Sequence, residues 1–139
     1  MMMSQYDENS RRATGDRIRR EVLSDSYVEG ARKSAFAAPL QEMITEFCWG
    51  GPWARPGLPW RTRSLLNIAL MTALNRPHEL KLHTAGALRN GCTPDEIAEV
   101  LLQAAVYAGI PAGVDAFKVA ESAIDEYEAF TGRSAADNG

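Results

Sequence analysis

The stretch 93–111, TPDEIAEVLLQAAVYAGIP, carries the strongest structural signal in the sequence. Thr93 is a typical N-cap, Pro94 suits the first helical position, and Glu96 completes a capping box. Apolar side chains then recur every three or four residues, which predicts one buried helical face: Ile97, Val100, Leu101, Ala104, Ala105 and Ala108. Gly109 ends the pattern. The stretch therefore predicts an amphipathic helix that faces a core.

A second helical pattern follows, from about Ala112 to Phe130, and Gly132 is expected to end it. Its expected inward residues are Val114, Phe117, Ile124 and Tyr127. The short link predicts that the two helices pair in antiparallel fashion. Small residues in this region permit close approach of the two helices: Ala104, Ala105, Ala108 and Ala112.

Upstream, RTRSLLNIALMTALN at 61–75 predicts a helix that is apolar over most of its circumference. Such a helix belongs in the centre of a core or in a subunit interface. Pro77 begins the next predicted helix, which ends near Gly91. An earlier helix is expected over about 38–49, with apolar spacing at Leu40, Met43, Ile44 and Phe47.

The segment WGGPWARPGLPW at 49–60 holds three tryptophans, three prolines and three glycines, so it predicts an ordered loop with buried aromatic side chains. No alternating strand pattern of useful length occurs. The fold class is therefore predicted to be all-α, a single-domain bundle of about six helices. The expected divisions are a charged N-terminal leader or helix at 1–24, the helical domain at 25–132, and a disordered tail at 133–139.

Composition restricts the function classes. The chain has 139 residues, 45% hydrophobic and 24% charged, as in an ordinary globular domain. Two cysteines and two histidines favour neither a disulfide framework nor a metal centre, so no metal is predicted. No apolar run approaches the roughly 20 residues of a membrane span, and the polar start lacks a signal-peptide core. A cytoplasmic protein without membrane contact is expected.

The N-terminal segment is rich in arginine, with five between Arg11 and Arg20. Such a run can bind nucleic acid. The net charge of −3 and the neighbouring Asp16 and Glu21 favour a solvated helix face instead. No nucleic-acid partner is predicted.

Two residues are candidates for proton transfer. His83 lies on the apolar face of the helix that begins at Pro77, where an imidazole is either a core residue or a pocket acid or base. Glu46 borders the buried face just before the tryptophan-rich segment, where a carboxyl group is either a surface charge or an acid or base.

Three arginines are candidates for binding an anion. Arg61 and Arg63 lie at the start of the most apolar helix, where a cation opposes the helix dipole. Either an anionic ligand or an ordinary ion pair with Glu or Asp can compensate them, because arginine binds carboxylates through two hydrogen bonds. Arg55, in the tryptophan-rich segment, is a weaker candidate of the same kind.

The stretch 49–117 resembles the carboxymuconolactone decarboxylase family. The matching motifs are W-G-x-x-W-x-R-P-G-L, R-T-R-S-L, N-R-x-x-E-L-x-x-H, A-L-x-N-G and A-V-Y-A-G-x-P. The wider superfamily includes alkylhydroperoxidase D, whose cysteine positions correspond here to Arg76 and Glu79, so thiol chemistry is not expected. Many relatives read W-G-E-x-W where this chain has Gly51 and Pro52, and this difference leaves the substrate open.

The resemblance implies an all-α fold of the alkylhydroperoxidase D type that assembles as a homo-oligomer, a trimer or a hexamer. It implies cofactor-free decarboxylation of 4-carboxymuconolactone, a dicarboxylate lactone, to 3-oxoadipate enol-lactone in protocatechuate catabolism. In that reaction His83 and Glu46 are expected to be catalytic. Substrate binding is expected of Arg61, Arg63, Arg55, Trp49 and Trp53. The alternatives are a related lyase or isomerase acting on another lactone or small carboxylate, and a non-enzymatic oligomeric binding protein.

Overall fold

The computed structural model describes residues 8–137, and this part of the chain is helical without any strand. The predicted all-α class is therefore confirmed. The α-helices are α1 (Glu8–Leu23), α2 (Asp25–Ala31), α3 (Ala38–Met43), α4 (Trp60–Ala73), α5 (Pro77–Arg89), α6 (Pro94–Ala108) and α7 (Ile110–Asp137). A π-helical segment, Ile44–Trp49, continues α3, and a short 3₁₀ turn follows at Pro52–Ala54.

The helices divide into two compact units, the first ending at Pro59 and the second beginning at Trp60. The sequence suggests a single bundle. The division falls at the Pro- and Gly-rich stretch predicted as a loop, and residues 54–59 are all exposed. The expected domain boundaries at 24 and 132 stay predictions.

In the first unit, α1 packs against the π-helical segment. Its buried apolar residues include Ile18 and Val22, and Arg19 on the same helix is buried as well. Arg20 donates hydrogen bonds to Asp16, Asp25 and Glu29. The predicted solvated arginine face is therefore correct only in part, because Arg19 is buried and Arg20 is paired with carboxylates of the same unit.

The helix predicted over 38–49 changes character halfway along. The expected apolar spacing leaves Leu40, Met43 and Phe47 exposed in this chain, whereas Thr45 and Trp49 are buried. Leu40 and Met43 come before the wider π-helical turn, in α3, which has no buried residue, and the turn then changes the directions of the side chains that follow it.

The second unit packs α4 to α7 around one core. Its buried cluster is Ile68, Leu80, Ala87, Cys92, Ile97, Leu101, Ala116 and Ala120. The predicted capping box of α6 is confirmed: Glu96 N–H donates to Thr93 Oγ1 at 3.1 Å, and Thr93 N–H donates to Glu96 Oε1 at 3.2 Å. Gly91, with φ of +89°, follows the end of α5 as predicted.

The expected inward face of α7 is wrong in part. Val114 and Phe117 are exposed, and the buried positions are Gly113, Ala116, Ala120 and Ala123. A Cβ at Gly113 would lie 2.5 Å from Ala105 Cβ, so only small residues fit where α6 and α7 meet.

The predicted end of α7 at Gly132 is also wrong, since the helix continues to Asp137. A glycine costs a helix only about 1 kcal/mol relative to alanine, which neighbouring turns can offset. Residues 138–139 of the expected disordered tail lie outside the described part of the chain. No helix within residues 8–137 has both the length and the apolar character to span a bilayer.

Candidate active site

His83 lies in the second turn of α5 and is only 7% exposed. Leu80, Thr84 and Ala87, which share its side of the helix, are also buried. The predicted placement of this imidazole on the apolar face is therefore confirmed. Thr84 satisfies its own hydroxyl by donating to the Leu80 carbonyl at 2.7 Å, which is how a helix tolerates a buried threonine.

Glu79 is the charged neighbour of His83. Its Oε2 lies 3.7 Å from His83 Nε2, one helical turn away. Burial lowers the pKa of His83, and the negative charge of Glu79 opposes that shift only in part. The neutral form of the imidazole is therefore favoured, and in that form it donates one hydrogen bond and accepts another. Glu79 is not among the predicted site residues, although its spacing of four residues from His83 is a readable signal.

Arg61 forms an ion pair with Glu96. Its Nη2 donates a hydrogen bond to Glu96 Oε2, and this contact holds the pKa of Glu96 below its usual value. The sequence leaves two ways to compensate the charge of Arg61, an anionic ligand or an ion pair, and the structure contains the ion pair. The carboxylate comes from the capping box of α6, so one residue caps a helix and neutralises Arg61.

Arg63 is more shielded than Arg61. Its side chain is half-buried and its Nε is inaccessible to solvent. The adjoining Ser64 is fully buried and accepts a hydrogen bond from Asn90 Nδ2 at 2.9 Å. Arg63 is therefore the better placed of the two arginines for a charge-assisted contact away from bulk water.

Trp49 and Trp53 form a buried stacked pair in the first unit. Their ring centroids are 4.6 Å apart with an interplanar angle of 24°, and both residues are buried. The expected burial of the aromatic side chains is confirmed for this pair, whereas Trp60 is half-buried. The π-helical segment supplies the first ring and the 3₁₀ turn supplies the second.

Glu46 lies on the same π-helical segment as Trp49, with its side chain 12% exposed. Its Oε2 is 3.7 Å from Arg12 Nε of α1. The contact with the Arg12 guanidinium and the limited exposure of Glu46 restrict the orientation of its side chain. Arg12 is absent from the predicted site, because its distance in sequence from Glu46 conceals the contact.

Arg55 is exposed and borders an open groove of about 740 Å³ in the first unit, together with Arg11, Gly51 and Ala54. The predicted site residues thus form two groups. Glu46, Trp49, Trp53 and Arg55 belong to the first unit, whereas Arg61, Arg63 and His83 belong to the second. Among residues 8–137, no three His, Cys, Asp or Glu side chains gather as they would around a metal ion.

Comparison with known proteins identifies the family. The model of the carboxymuconolactone decarboxylase family matches residues 38–122. The chain is 45% identical over 114 residues to a nitrosuccinic acid decarboxylase of Metarhizium robertsii, covering 81% of this chain and 80% of that protein. It is 39% identical over 117 residues to a 4-carboxymuconolactone decarboxylase of Acinetobacter baylyi, covering 83% and 87%. The chain therefore belongs to the carboxymuconolactone decarboxylase family and is a decarboxylase of that family.

Proposed function

We propose that this decarboxylase acts without a cofactor on a small dicarboxylate whose departing carboxylate is attached next to an electron-withdrawing system. The first candidate is 4-carboxymuconolactone, converted to 3-oxoadipate enol-lactone in protocatechuate catabolism. The observation that carries the proposal is the burial of the His83 imidazole, which lowers its pKa and favours its neutral form. The 39% identity to a 4-carboxymuconolactone decarboxylase supports this substrate.

The chemistry needs little from the protein beyond binding, an oxygen-stabilising donor and a proton. When the C–C bond to the carboxylate breaks, CO₂ leaves and the electron pair moves through the C=C bond into the lactone carbonyl. The resulting dienolate takes up a proton at carbon. Since the substrate is its own electron sink, an external electron-accepting group is not required.

His83 suits the stabilisation of the dienolate oxygen. A neutral N–H in a desolvated position is a stronger hydrogen-bond donor toward developing negative charge than the same group in water. Glu79 Oε2 lies 3.7 Å from His83 Nε2, too far for a hydrogen bond, so the neutral ring can donate its Nε2–H to the substrate oxygen.

The other residues have separate roles in this proposal. Arg63 binds a substrate carboxylate, and Arg61 assists once it exchanges Glu96 for substrate. Glu46 takes up a proton from solvent and gives it to the dienolate carbon. Trp49 and Trp53 exclude water, which disfavours charge on the departing carboxylate. Arg55 attracts the dianion from solvent.

Nitrosuccinate is a second candidate substrate. It too is a dicarboxylate, and the nitro group beside one carboxylate accepts the electron pair as a nitronate. Two observations favour it: the 45% identity to a nitrosuccinic acid decarboxylase, and Gly51 at the position where many family members have a loop carboxylate.

The test is a parallel assay of purified protein with 4-carboxymuconolactone and with nitrosuccinate, following CO₂ release. Turnover of the lactone supports the first candidate, and turnover of nitrosuccinate alone supports the second. Absence of turnover with both compounds contradicts the proposed substrate class.

We further propose that the chain assembles as a homo-oligomer, a trimer or a hexamer. Leu66 and Leu70 follow one side of α4, Leu74 comes just after its end, and all three are about half exposed in the single chain. Val106 and Tyr107 of α6 are mostly exposed. Exposed apolar residues in such numbers are typical of protein interfaces. Light scattering coupled to gel filtration tests this, and a monomer at micromolar concentration contradicts it.

A further inference from the structure

One face of α1 makes three separate contacts with the π-helical segment and the residues that flank it. Arg12, Gly15 and Arg19 are spaced by three and four residues, so they share one side of the helix. The arginine-rich N-terminal sequence suggests only a solvated helix. Its buried side instead presents two guanidinium groups and a gap without a side chain to residues 41–50.

Gly15 lies against the hydrogen bond that closes the π-helical turn. Gly50 N–H donates to the Thr45 carbonyl, five residues earlier, at 2.9 Å. A Cβ at Gly15 would lie 2.0 Å from that carbonyl oxygen and 2.8 Å from Gly50 N. Because both neighbours are backbone atoms, no larger residue fits while α1 and this turn keep their places.

Arg19 binds the same turn through side chains. It is 2% exposed, and its guanidinium donates to Gln41 Oε1 at 2.8 Å and to Thr45 Oγ1 at 3.4 Å. Thr45 Oγ1 in turn donates to the Gln41 carbonyl at 2.9 Å. These acceptors are neutral oxygens, so the interaction offsets the cost of burying the charge less well than a carboxylate would. Its value lies in fixing the geometry of the turn.

Arg12 completes the set by contacting Glu46 at 3.7 Å and Glu42 at 3.9 Å. Glu46 is much the less exposed of these two carboxylates. A π-helical turn holds about one residue more than an α-helical turn. If residues 44–49 formed α-helical turns instead, the side chains that follow would be rotated by roughly 100° about the helix axis. Glu46 and Trp49 would then lose their present directions.

We propose that Arg12, Gly15 and Arg19 form a positioning element that holds residues 44–49 in the π-helical register and so aims Glu46. This inference rests on the proposed function, in which Glu46 returns the proton. It gives the N-terminal helix a catalytic purpose without placing any of its residues in contact with substrate.

The test compares Arg19→Met with Arg17→Met, a matched control on the exposed side of α1 that pairs with Glu21. For Arg19→Met we expect kcat to fall at least about tenfold with KM changed less than about threefold. The reason is that the substitution misplaces Glu46 but leaves substrate binding intact. We expect Arg19→Lys to recover part of kcat. Arg17→Met should match the wild type.

A second readout does not depend on activity. The stacked Trp49–Trp53 pair gives an exciton couplet in circular dichroism, which Trp53→Phe identifies by removing it. We expect folded Arg19→Met and Gly15→Ala proteins to show a reduced couplet. If the wild type has no turnover, the proposed function fails, and the couplet still tests the positioning element.

Unchanged couplets in the Arg19→Met and Gly15→Ala variants overturn the proposal, and so does an equal loss of kcat in Arg17→Met. A reduced couplet with unchanged kcat overturns the link to Glu46. If the Arg19 and Gly15 variants do not fold, Arg12→Gln tests the proposal instead, because the Arg12 side chain is 44% exposed and its substitution disturbs the fold less. A loss of kcat at constant KM supports the positioning of Glu46, and unchanged kcat overturns it.

Discussion

The two units hold their candidate acid–base residues in opposite ways. Glu46 is mostly buried, yet a guanidinium lies 3.7 Å away and the surrounding helix face of α1 is cationic. His83 is buried beside apolar residues of α5, and burial outweighs the charge of Glu79 in setting its pKa. The first residue is oriented by a counter-charge, whereas desolvation favours the neutral form of the second. The proposed reaction uses both kinds of residue, a proton donor held in one direction and a hydrogen-bond donor shielded from water.

The largest expected effect comes from removing the imidazole. We expect His83→Ala to lower kcat by roughly 10²–10⁴-fold, as is typical when a general acid–base or oxygen-stabilising group is lost. His78→Ala is the control, since His78 is exposed on the same helix. Turnover of His83→Ala within a few-fold of the wild type, in a folded protein, contradicts the assignment.

The next largest effect is expected at Glu46. We expect Glu46→Gln to lower kcat by about 10–100-fold, because a proton donor is lost while the shape is kept. Glu42→Gln is a matched control, since Glu42 contacts the same Arg12 but is largely exposed. Equal kcat values for the two variants would show that the carboxylate of Glu46 has no special role.

The two arginines at the start of α4 should differ in their effect on substrate binding. We expect Arg63→Gln to raise KM by about tenfold or more, in line with the loss of a charge-assisted hydrogen bond. Arg61→Gln should raise KM less, because Arg61 is exposed to water whereas Arg63 is half-buried with its Nε shielded from solvent. Steady-state kinetics on both variants measure this, and a larger effect at Arg61 reverses the assignment.

The smallest expected effect concerns stability and pH. Because burial lowers the pKa of His83 below its usual 6.5, the unfolded chain takes up a proton here at a higher pH than the folded chain. The wild type should therefore lose stability as pH falls below about 6.5, down to the folded pKa. His83→Gln has no such contribution. Urea midpoints for both proteins at pH 7.5 and 5.5 test this, and parallel changes contradict it.

Local signals in the sequence predict much of this molecule. The capping box at Thr93 and Glu96 and the burial of His83 are each predictable from the spacing of residues within one helix. The expected burial of Trp49 and Trp53 likewise follows from the composition of one short segment. Such features are readable because spacing along the chain determines which side chains can meet.

The features that escape prediction depend on contacts between helices. The π-helical register of residues 44–49 reflects the crossing of α1 at Gly15, and nothing within the segment itself indicates it. The buried face of α7 is set by how closely Gly113 approaches Ala105, which reverses the usual preference for burying the larger apolar residues. The partner of Arg61 is likewise a residue 35 positions away.

The most direct test of the account is the protonation state of His83, measured by ¹⁵N NMR titration of the two histidine side chains with His83→Gln to assign the signals. We expect His83 to be half-protonated below pH 6.5 and its ring to be neutral at the pH of turnover. Half-protonation at or above pH 6.5 would contradict this, because burial would then not favour the neutral imidazole that donates to the substrate.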